Sequence, residues 1–569
     1  MTLGDGIERA RYALAFAIAG GKVLHRTGLY KKLSPMAGLK YAAQARGGGG
    51  PFAIVNLHAL AHPERPALVD GEVRLTYGAL SARANRLAHG MRALGIGPGD
   101  RVAIMLHNSH HYIELSAAFG HLGAVAVQIG YRSKPAEVAF VLENSGARAL
   151  VFHADLAATV KEALGAGKIT LLGIAINDSP AENGGKNGGH VTAVAGFRDY
   201  ETVLGGGDPS VPPRVDGGGH GGLMVYTSGT TGRPKGADRD FKATGLVPGM
   251  NFLASLPIRT DERHLVTCPL YHSAAPAFAA LVMSVGGCLV ILDQFDPEAV
   301  LATMARERIT SAMMVPTMFN RLLGLGRAAI ARHDLSSLRC LISGAAPLPT
   351  ALARRIEEAF GPILYNFYGA TETGFVTLAL PGEHTARPGT IGRLVGGVEA
   401  RLVDDAGRDV PTGSVGELFV KSPMLVGYHN NRAATQAAER DGFFSVGDLA
   451  RRDPEGYFYL ADRKSDMVIS GGVNIYPFEI EQRLHAHPAV SDVAVVGTPD
   501  ADWGESLVAF VVLRPDASAT AVDLQEFVTA ELADFKRPRR VVFLAALPRT
   551  PTGKVLKREL KARLAEARE

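Results

Sequence analysis

From Arg101 onward, short apolar runs alternate with stretches of helical periodicity. RVAIML (101–106), AVAVQI (124–129) and ALVF (149–152) read as strands, with helices expected at 109–120 and 135–144. Such alternation implies right-handed crossovers and a parallel sheet. The rhythm resumes after residue 220. LMVYT (223–227), HLVTCPL (264–270), CLVIL (288–292), SAMMV (311–315), LRCLIS (338–343) and ILYNFY (363–368) are predicted strands, most of them separated by helical stretches. Between the two blocks, residues 180–222 are rich in Gly, Asn and Pro and predict a long surface connection. Residues 390–460 change character. Short β runs such as ARLVD (400–404) and GELFVKS (416–422) are punctuated by Gly and Pro. A last block carries its own strands (VAVVG, VAFVVL, VVFL) and helices. The fold class is therefore α/β. A large N-terminal domain of two α/β sheet subdomains and a β-rich subdomain is expected over 51–464, and a small C-terminal α/β domain over 465–569.

Composition narrows the class without deciding it. At 569 residues, several domains are expected. Hydrophobic residues at 47% and charged residues at 20% describe a globular protein. No run approaches the roughly 20 apolar residues of a membrane span. The formal net charge of +4 is too small for this length to point to nucleic acid. Cys268, Cys288 and Cys340 lie in separate apolar stretches without CxxC spacing, which predicts buried, reduced thiols.

Charge is concentrated at one end. Residues 1–46 hold eight Lys/Arg and two Asp/Glu, a local net of +6 that leaves the rest near −2. Tyr12 to Ala19 is a short apolar run with Arg9, Arg11, Lys22, Arg26, Lys31 and Lys32 around it. Two readings stay open for this extension (1–50, ending in the glycines 47–50): contact with an anionic membrane surface, or a segment that packs on its own protein or is partly disordered. Ala17-Ile18-Ala19 imitates a signal-peptidase site. The ATP chemistry below argues for a cytoplasmic location instead, peripheral to the inner membrane face at most.

The most informative stretch is Tyr226-Thr-Ser-Gly-Thr-Thr-Gly-Arg-Pro-Lys-Gly236, after a predicted strand. Ser228, Thr230 and Thr231 offer hydroxyls, and Gly229 and Gly232 let backbone N–H groups curl toward an anion. Lys235 adds positive charge, so the set suits a triphosphate, although its spacing is not that of the common P-loop. Alone it is only a Gly/Thr-rich turn. Tyr368-Gly-Ala-Thr-Glu-Thr373 follows a strand end, where open α/β sheets bind ligands. Gly447-Asp448, the segment Asp462 to Glu481 and Pro551-Thr-Gly-Lys554 complete the series.

In this order and spacing the five segments resemble the adenylate-forming superfamily, which includes acyl-CoA synthetases, firefly luciferase and peptide-synthetase adenylation domains. The resemblance covers roughly 51–569, and Pro269-Leu-Tyr-His-Ser273 is most like fatty-acid CoA ligases. It implies ATP, Mg²⁺ and coenzyme A as partners of a carboxylic acid. By resemblance Thr227, Ser228, Gly229, Thr230, Thr231, Gly232 and Lys235 wrap the β- and γ-phosphates. Glu372 helps hold Mg²⁺ and Thr371 reaches the α-phosphate. Tyr368 and Gly369 face adenine, and Gly344, Ala345 and Ala346 line its slot. Asp448 accepts both ribose hydroxyls, supported by Arg463. Lys554, on a mobile lid, bridges carboxylate and α-phosphate, while His272 stands near the acyl carbonyl. Gly471 and Gly472 border the thiol path.

Two positions depart from the family pattern. Ser465 stands at the hinge, where Asp or Lys is common, and Ala274-Ala275-Pro276 follows His272 where many relatives have Gly. The reading is an AMP-forming acid–thiol ligase. Its rivals are an acyl-AMP ligase that loads a carrier protein and a membrane-peripheral fatty-acid uptake protein. A medium- or long-chain fatty acid is expected from the Ala-rich 274–280, from Met313-Met314, and from the lack of an evident acidic partner for an amino group.

Overall fold

The computed structural model describes residues 3–31, 54–177, 194–213, 221–227, 235–240, 246–421, 425–470, 473–500, 502–550 and 553–566. Three sheets organise these residues. The first runs Leu425–Tyr428, Lys235–Asp240, Gly222–Thr227, Val125–Gln128, Arg101–Met105, Ala149–His153, Leu172–Ile176, Arg198–Asp199. From Gly222–Thr227 to Leu172–Ile176 the strands are parallel, whereas Lys235–Asp240 pairs antiparallel with both its neighbours. Every residue of Ala149–His153 is buried, as expected where helices cover both faces of a parallel sheet.

The second sheet has a parallel centre: Leu364–Ala370, Cys340–Ser343, Ser311–Met314, Arg263–Val266, Cys288–Ile291 and Pro66–Asp70, in that spatial order. Pro66–Asp70 precedes the whole first sheet in the chain yet pairs with Cys288–Ile291. The β-rich strands of 390–460 continue this sheet by antiparallel pairing through Gly374–Ala379 and Thr390–Leu394. Helices Tyr77–Ala93 and His110–Leu122 join the two sheets in one core, in which Val102 and Ile104 meet Leu68 and Leu289.

The third sheet belongs to the C-terminal block. Val490–Asp500 and Gly504–Leu513 form a long hairpin, flanked by Arg540–Phe543 and Val468–Ser470. Helix Pro477–His485 packs on the hairpin. The last strand of the second sheet ends at Arg463 and the first of the third begins at Val468, with Ser465 in the exposed turn between them.

The N-terminal helix Leu3–Thr27 packs against helix Leu246–Ser255 and buries Ala19, Val23 and Thr27. Thr260 N donates to Thr27 O at 3.1 Å. Leu14, Phe16, Ile18 and Leu24 of the same helix are exposed. Among the described residues no helix is long and apolar enough to cross a membrane. The three cysteines are buried and free, and burial raises each thiol's pKa.

Candidate active site

Three strand ends of the second sheet deliver the first part of the site. Cys340–Ser343 runs into Gly344, Ala345 and Ala346. A Cβ on Gly344 would lie 2.1 Å from the Phe367 ring, so only glycine lets this turn close on its neighbour. Ala345 takes φ +62°, the left-handed region that a non-glycine residue rarely occupies. Leu364–Ala370 carries Tyr368 and Gly369 and turns through Thr371 and Glu372 into the antiparallel Gly374–Ala379. Arg263–Val266 leads to Tyr271, His272 and Ser273. Ser273 Oγ and Thr371 Oγ1 stand 3.1 Å apart and tie the last two turns together.

The first two of these turns open on a cavity of about 620 Å³, which Gly344 and His272 do not line. Lys235, Ala345, Ala346, Tyr368, Gly369, Thr371, Glu372, Gly447, Asp448, Arg463 and Lys554 all line it. Asp448 and Arg463 are register partners on adjacent strands. Arg463 Nε lies 3.2 Å from Asp448 Oδ1, and Tyr368 donates its hydroxyl to Oδ2 at 2.6 Å. The carboxylate is thus aimed from two sides while only 7% exposed. Burial and the Asp448 charge push the Tyr368 hydroxyl well above its ordinary pKa, so it stays a donor.

Glu372 is 5% exposed, and one of its oxygens accepts from the Tyr428 hydroxyl at 3.1 Å. The ammonium of Lys235 sits 5.2 Å from the centre of the same tyrosine ring. This set fits Mg²⁺, which characteristically takes one or two carboxylate oxygens and completes its shell with phosphate oxygens and water.

Lys554 enters from the C-terminal block on a tight turn. Thr550 N donates to Lys554 O at 2.8 Å, and Gly553 N donates to Thr550 O at 2.8 Å. Arg549 braces the turn by donating to Gly553 O and pairing with Asp492. Lys554 is exposed and borders the open cavity. Burial first, and the Arg463 charge second, lower its pKa, against the opposing pull of Asp448 and Glu372. His272 is pushed down to about 3 by burial and by Lys554, so it is a neutral imidazole, and its buried Nε2 has no hydrogen-bond partner among the described residues.

Some expected residues are not assembled here. Ser465 does not line the cavity. Ser228, Gly229, Thr230, Thr231, Gly232, Gly471 and Gly472 lie outside the described residues, and Thr227 is described only as the end of a strand. The Ala-rich segment behaves as core. Ala275, Phe278 and Ala279 are buried in the helix Ala274–Ser284, and Phe278 packs on Phe252, Phe367 and Phe375. Met313 and Met314 are likewise buried, with Met314 on the opposite side of the sheet in a separate cluster. None of these residues lines the cavity, so two of the three reasons for expecting an aliphatic acid lose their footing. Tyr428 and Ser273 escaped the sequence reading as site residues. The only local signal for Tyr428 is an aromatic residue after a glycine, in a strand whose partner lies about 190 positions earlier.

Sequence profiles agree with this architecture. The AMP-binding enzyme profile matches residues 56–429, and the AMP-binding enzyme C-terminal domain matches 479–554. A feruloyl-CoA synthase from an Amycolatopsis species is 38% identical over 512 residues, covering 88% of this chain and 96% of its own. The fatty acid–[acyl-carrier-protein] ligase ScoC of Streptomyces coeruleorubidus is 32% identical over 519 residues, covering 89% and 95%. The crystal structure of the anthranilate CoA ligase AuaEII with anthranoyl-AMP superposes with a TM-score of 0.81 at 27% identity, covering 91% of this chain and 98% of that one.

Proposed function

The chain belongs to the AMP-binding enzyme family, and we propose that it activates an apolar monocarboxylic acid as an acyl-adenylate and passes the acyl group to coenzyme A. It is an AMP-forming acid–CoA ligase. One observation carries the finer reading. Lys554 of the C-terminal block stands in the same cavity as Asp448, Arg463, Glu372 and Lys235 of the large domain. A carboxylate attacking the α-phosphorus meets accumulated negative charge, and a cation aimed at the developing charge lowers that barrier. The acid oxygen bonds to phosphorus while pyrophosphate leaves. The thiol sulfur then bonds to the acyl carbon while AMP leaves. Mg²⁺ would neutralise phosphate charge, held by Glu372. Asp448 and Arg463 would orient the ribose, Tyr368 and the 344–346 turn the adenine, and the segment 227–235 the outer phosphates. Bodies 51–464 and 465–569 would move about Ser465, first presenting Lys554 and then the segment around Gly471 and Gly472, with His272 beside the acyl carbonyl.

For the acyl group, the aliphatic expectation rests on the absence of an evident acidic partner for an amino group. A planar aryl acid is the second reading. Similarity to a feruloyl-CoA synthase supports the same reading. Pyrophosphate release with and without coenzyme A, across saturated acids of increasing length and benzoate- and cinnamate-like acids, tests both. Each methylene that fits should contribute about 0.8 kcal/mol, so efficiency climbs several-fold per carbon for an aliphatic pocket. A flat response, with preference for the aryl acids, rejects the aliphatic reading. Release that never rises with coenzyme A points to a carrier protein as acceptor.

A further part of the proposal concerns the N-terminal helix. Its outward face pairs Leu14, 63% exposed, and Ile18, 50% exposed, with the exposed Lys22 and Arg26. Apolar side chains framed by cations suit an anionic lipid surface. Removing residues 1–46 should reduce sedimentation with anionic vesicles and leave activity in solution largely intact; unaltered vesicle binding rejects this contact.

A further inference from the structure

We propose that Tyr428 is a positioning residue that fixes the metal-facing carboxylate of Glu372 and the phosphate-facing ammonium of Lys235 relative to each other. The inference rests on the adenylation reading above and extends it to a residue outside the motif series.

The backbone of Tyr428 is held from three sides. Strand Leu425–Tyr428 leaves the β-rich region and pairs antiparallel with Lys235–Asp240, placing Tyr428 opposite Ala237. His429 N donates to Gly236 O at 2.8 Å. Tyr428 N donates to Thr435 Oγ1 at 2.9 Å, and the ring packs edge-on against Phe444 with centroids 5.5 Å apart. The strand that follows the phosphate-facing segment is thereby tied to a tyrosine from a distant part of the chain.

From that anchor the side chain serves two groups. Its hydroxyl donates to Glu372 Oε1 at 3.1 Å. One carboxylate oxygen is thus oriented, the way outer-shell donors commonly orient metal ligands. Its ring lies 5.2 Å from the Lys235 ammonium, within cation–π range. A π-face holds the ammonium without cancelling its charge. A carboxylate in the same place would neutralise the field that the phosphates need.

The test separates the two services. Tyr428→Phe removes the hydroxyl alone, and Tyr428→Leu removes the ring as well. Mn²⁺ binding is followed by electron paramagnetic resonance in the presence of α,β-methylene-ATP, alongside ATP–pyrophosphate exchange and thioester formation from synthetic acyl-AMP. Tyr428→Phe should weaken Mn²⁺ binding about tenfold, the usual scale for losing an outer-shell partner, with ATP KM unchanged at saturating metal. Tyr428→Leu should weaken Mn²⁺ similarly and raise ATP KM by a further roughly threefold to tenfold. Thioester formation from acyl-AMP should stay at wild-type level in both, which also shows that the variants fold. Glu372→Gln is the control. If it loses Mn²⁺ while Tyr428→Phe binds as wild type, the proposal for Tyr428 fails and the site reading stands. If Glu372→Gln itself binds Mn²⁺ as wild type, the metal reading of the site fails and this inference with it.

Discussion

Asp448 and Lys554 face the same cavity and are held in opposite ways. Asp448 sits within the ten-residue strand Phe443–Arg452, aimed by Tyr368 and Arg463, with no freedom to turn away. Lys554 sits on a one-turn loop of the C-terminal block, and among the described residues no hydrogen bond holds its ammonium. The first arrangement suits a group that binds a substrate throughout the cycle. The second suits a group presented for one step and then withdrawn, because a side chain with few partners loses little when its domain moves. The large domain builds a fixed nucleotide site, and the small one delivers charge.

The sharpest way to break that comparison is Lys554→Ala. Adenylation should fall by about 10² to 10³, the scale for removing one electrostatic stabiliser of a transition state. Thioester formation from presynthesised acyl-AMP should be spared. Equal loss in both half-reactions would mean that Lys554 is as permanent a part of the site as Asp448.

The pH profile probes the same contrast. Lys554 acts as a cation, and burial lowers its pKa, so the charged form persists at low pH and is lost as pH rises through a value below the ordinary lysine range near 10.4. Adenylation kcat/KM, which reports the free enzyme, should therefore show an alkaline limb that the thioester step lacks. Lys554→Arg should move that limb upward, since a guanidinium stays charged, at a reduced plateau. His272, already pushed down to about 3, should add no inflection between pH 5 and 8.

How far the sequence led can be judged from the same residues. Tyr368, Glu372, Asp448, Arg463 and Lys554 were legible because each sits in a short segment whose order along the chain is itself information, and the structure brings them to one cavity. The strands of the parallel sheets were legible as continuous apolar runs, since both their faces are buried. Pro66–Asp70 was not, because its partner Cys288–Ile291 comes more than 200 residues later and no local pattern encodes that pairing. Tyr428 was missed for the same reason. Ala275, Ala279 and Met314 lie in core clusters, and periodicity shows that a face is apolar but not whether it meets a substrate or a neighbouring helix.

A smaller effect is expected on the fixed side. Asp448→Asn keeps an acceptor oxygen and the shape of the side chain, but it loses the charge that faces Arg463 and that, in the proposed reading, two ribose hydroxyls would share. A charge-assisted hydrogen bond is roughly twice as strong as a neutral one. ATP KM should therefore rise roughly tenfold, with kcat and the KM for the acid little changed. An unchanged ATP KM would move the ribose away from Asp448 and leave the comparison without its fixed member.

The smallest effect tests whether the fixed half of the site stores strain. Ala345 holds φ +62° where the chain leaves strand Cys340–Ser343 and borders the cavity. A left-handed conformation costs a non-glycine residue about 1–2 kcal/mol. Ala345→Gly removes that cost but frees the unfolded chain, which offsets about 0.4–1 kcal/mol of the gain. The variant should be equal to wild type or more stable by at most about 1.6 kcal/mol, read as a small rise in the urea midpoint. Function should move the other way. Alanine narrows the backbone choices of the turn that faces adenine, whereas glycine widens them, so the nucleotide must order the turn as it binds and ATP KM should rise about twofold to threefold. Neighbouring Gly344 shows the opposite constraint, since Gly344→Ala drives a methyl into the Phe367 ring and should destabilise outright. If Ala345→Gly lowers stability and leaves ATP KM untouched, the turn is a packing element rather than a preorganised wall, and rigidity of the large-domain site resides in Asp448 and its two partners alone.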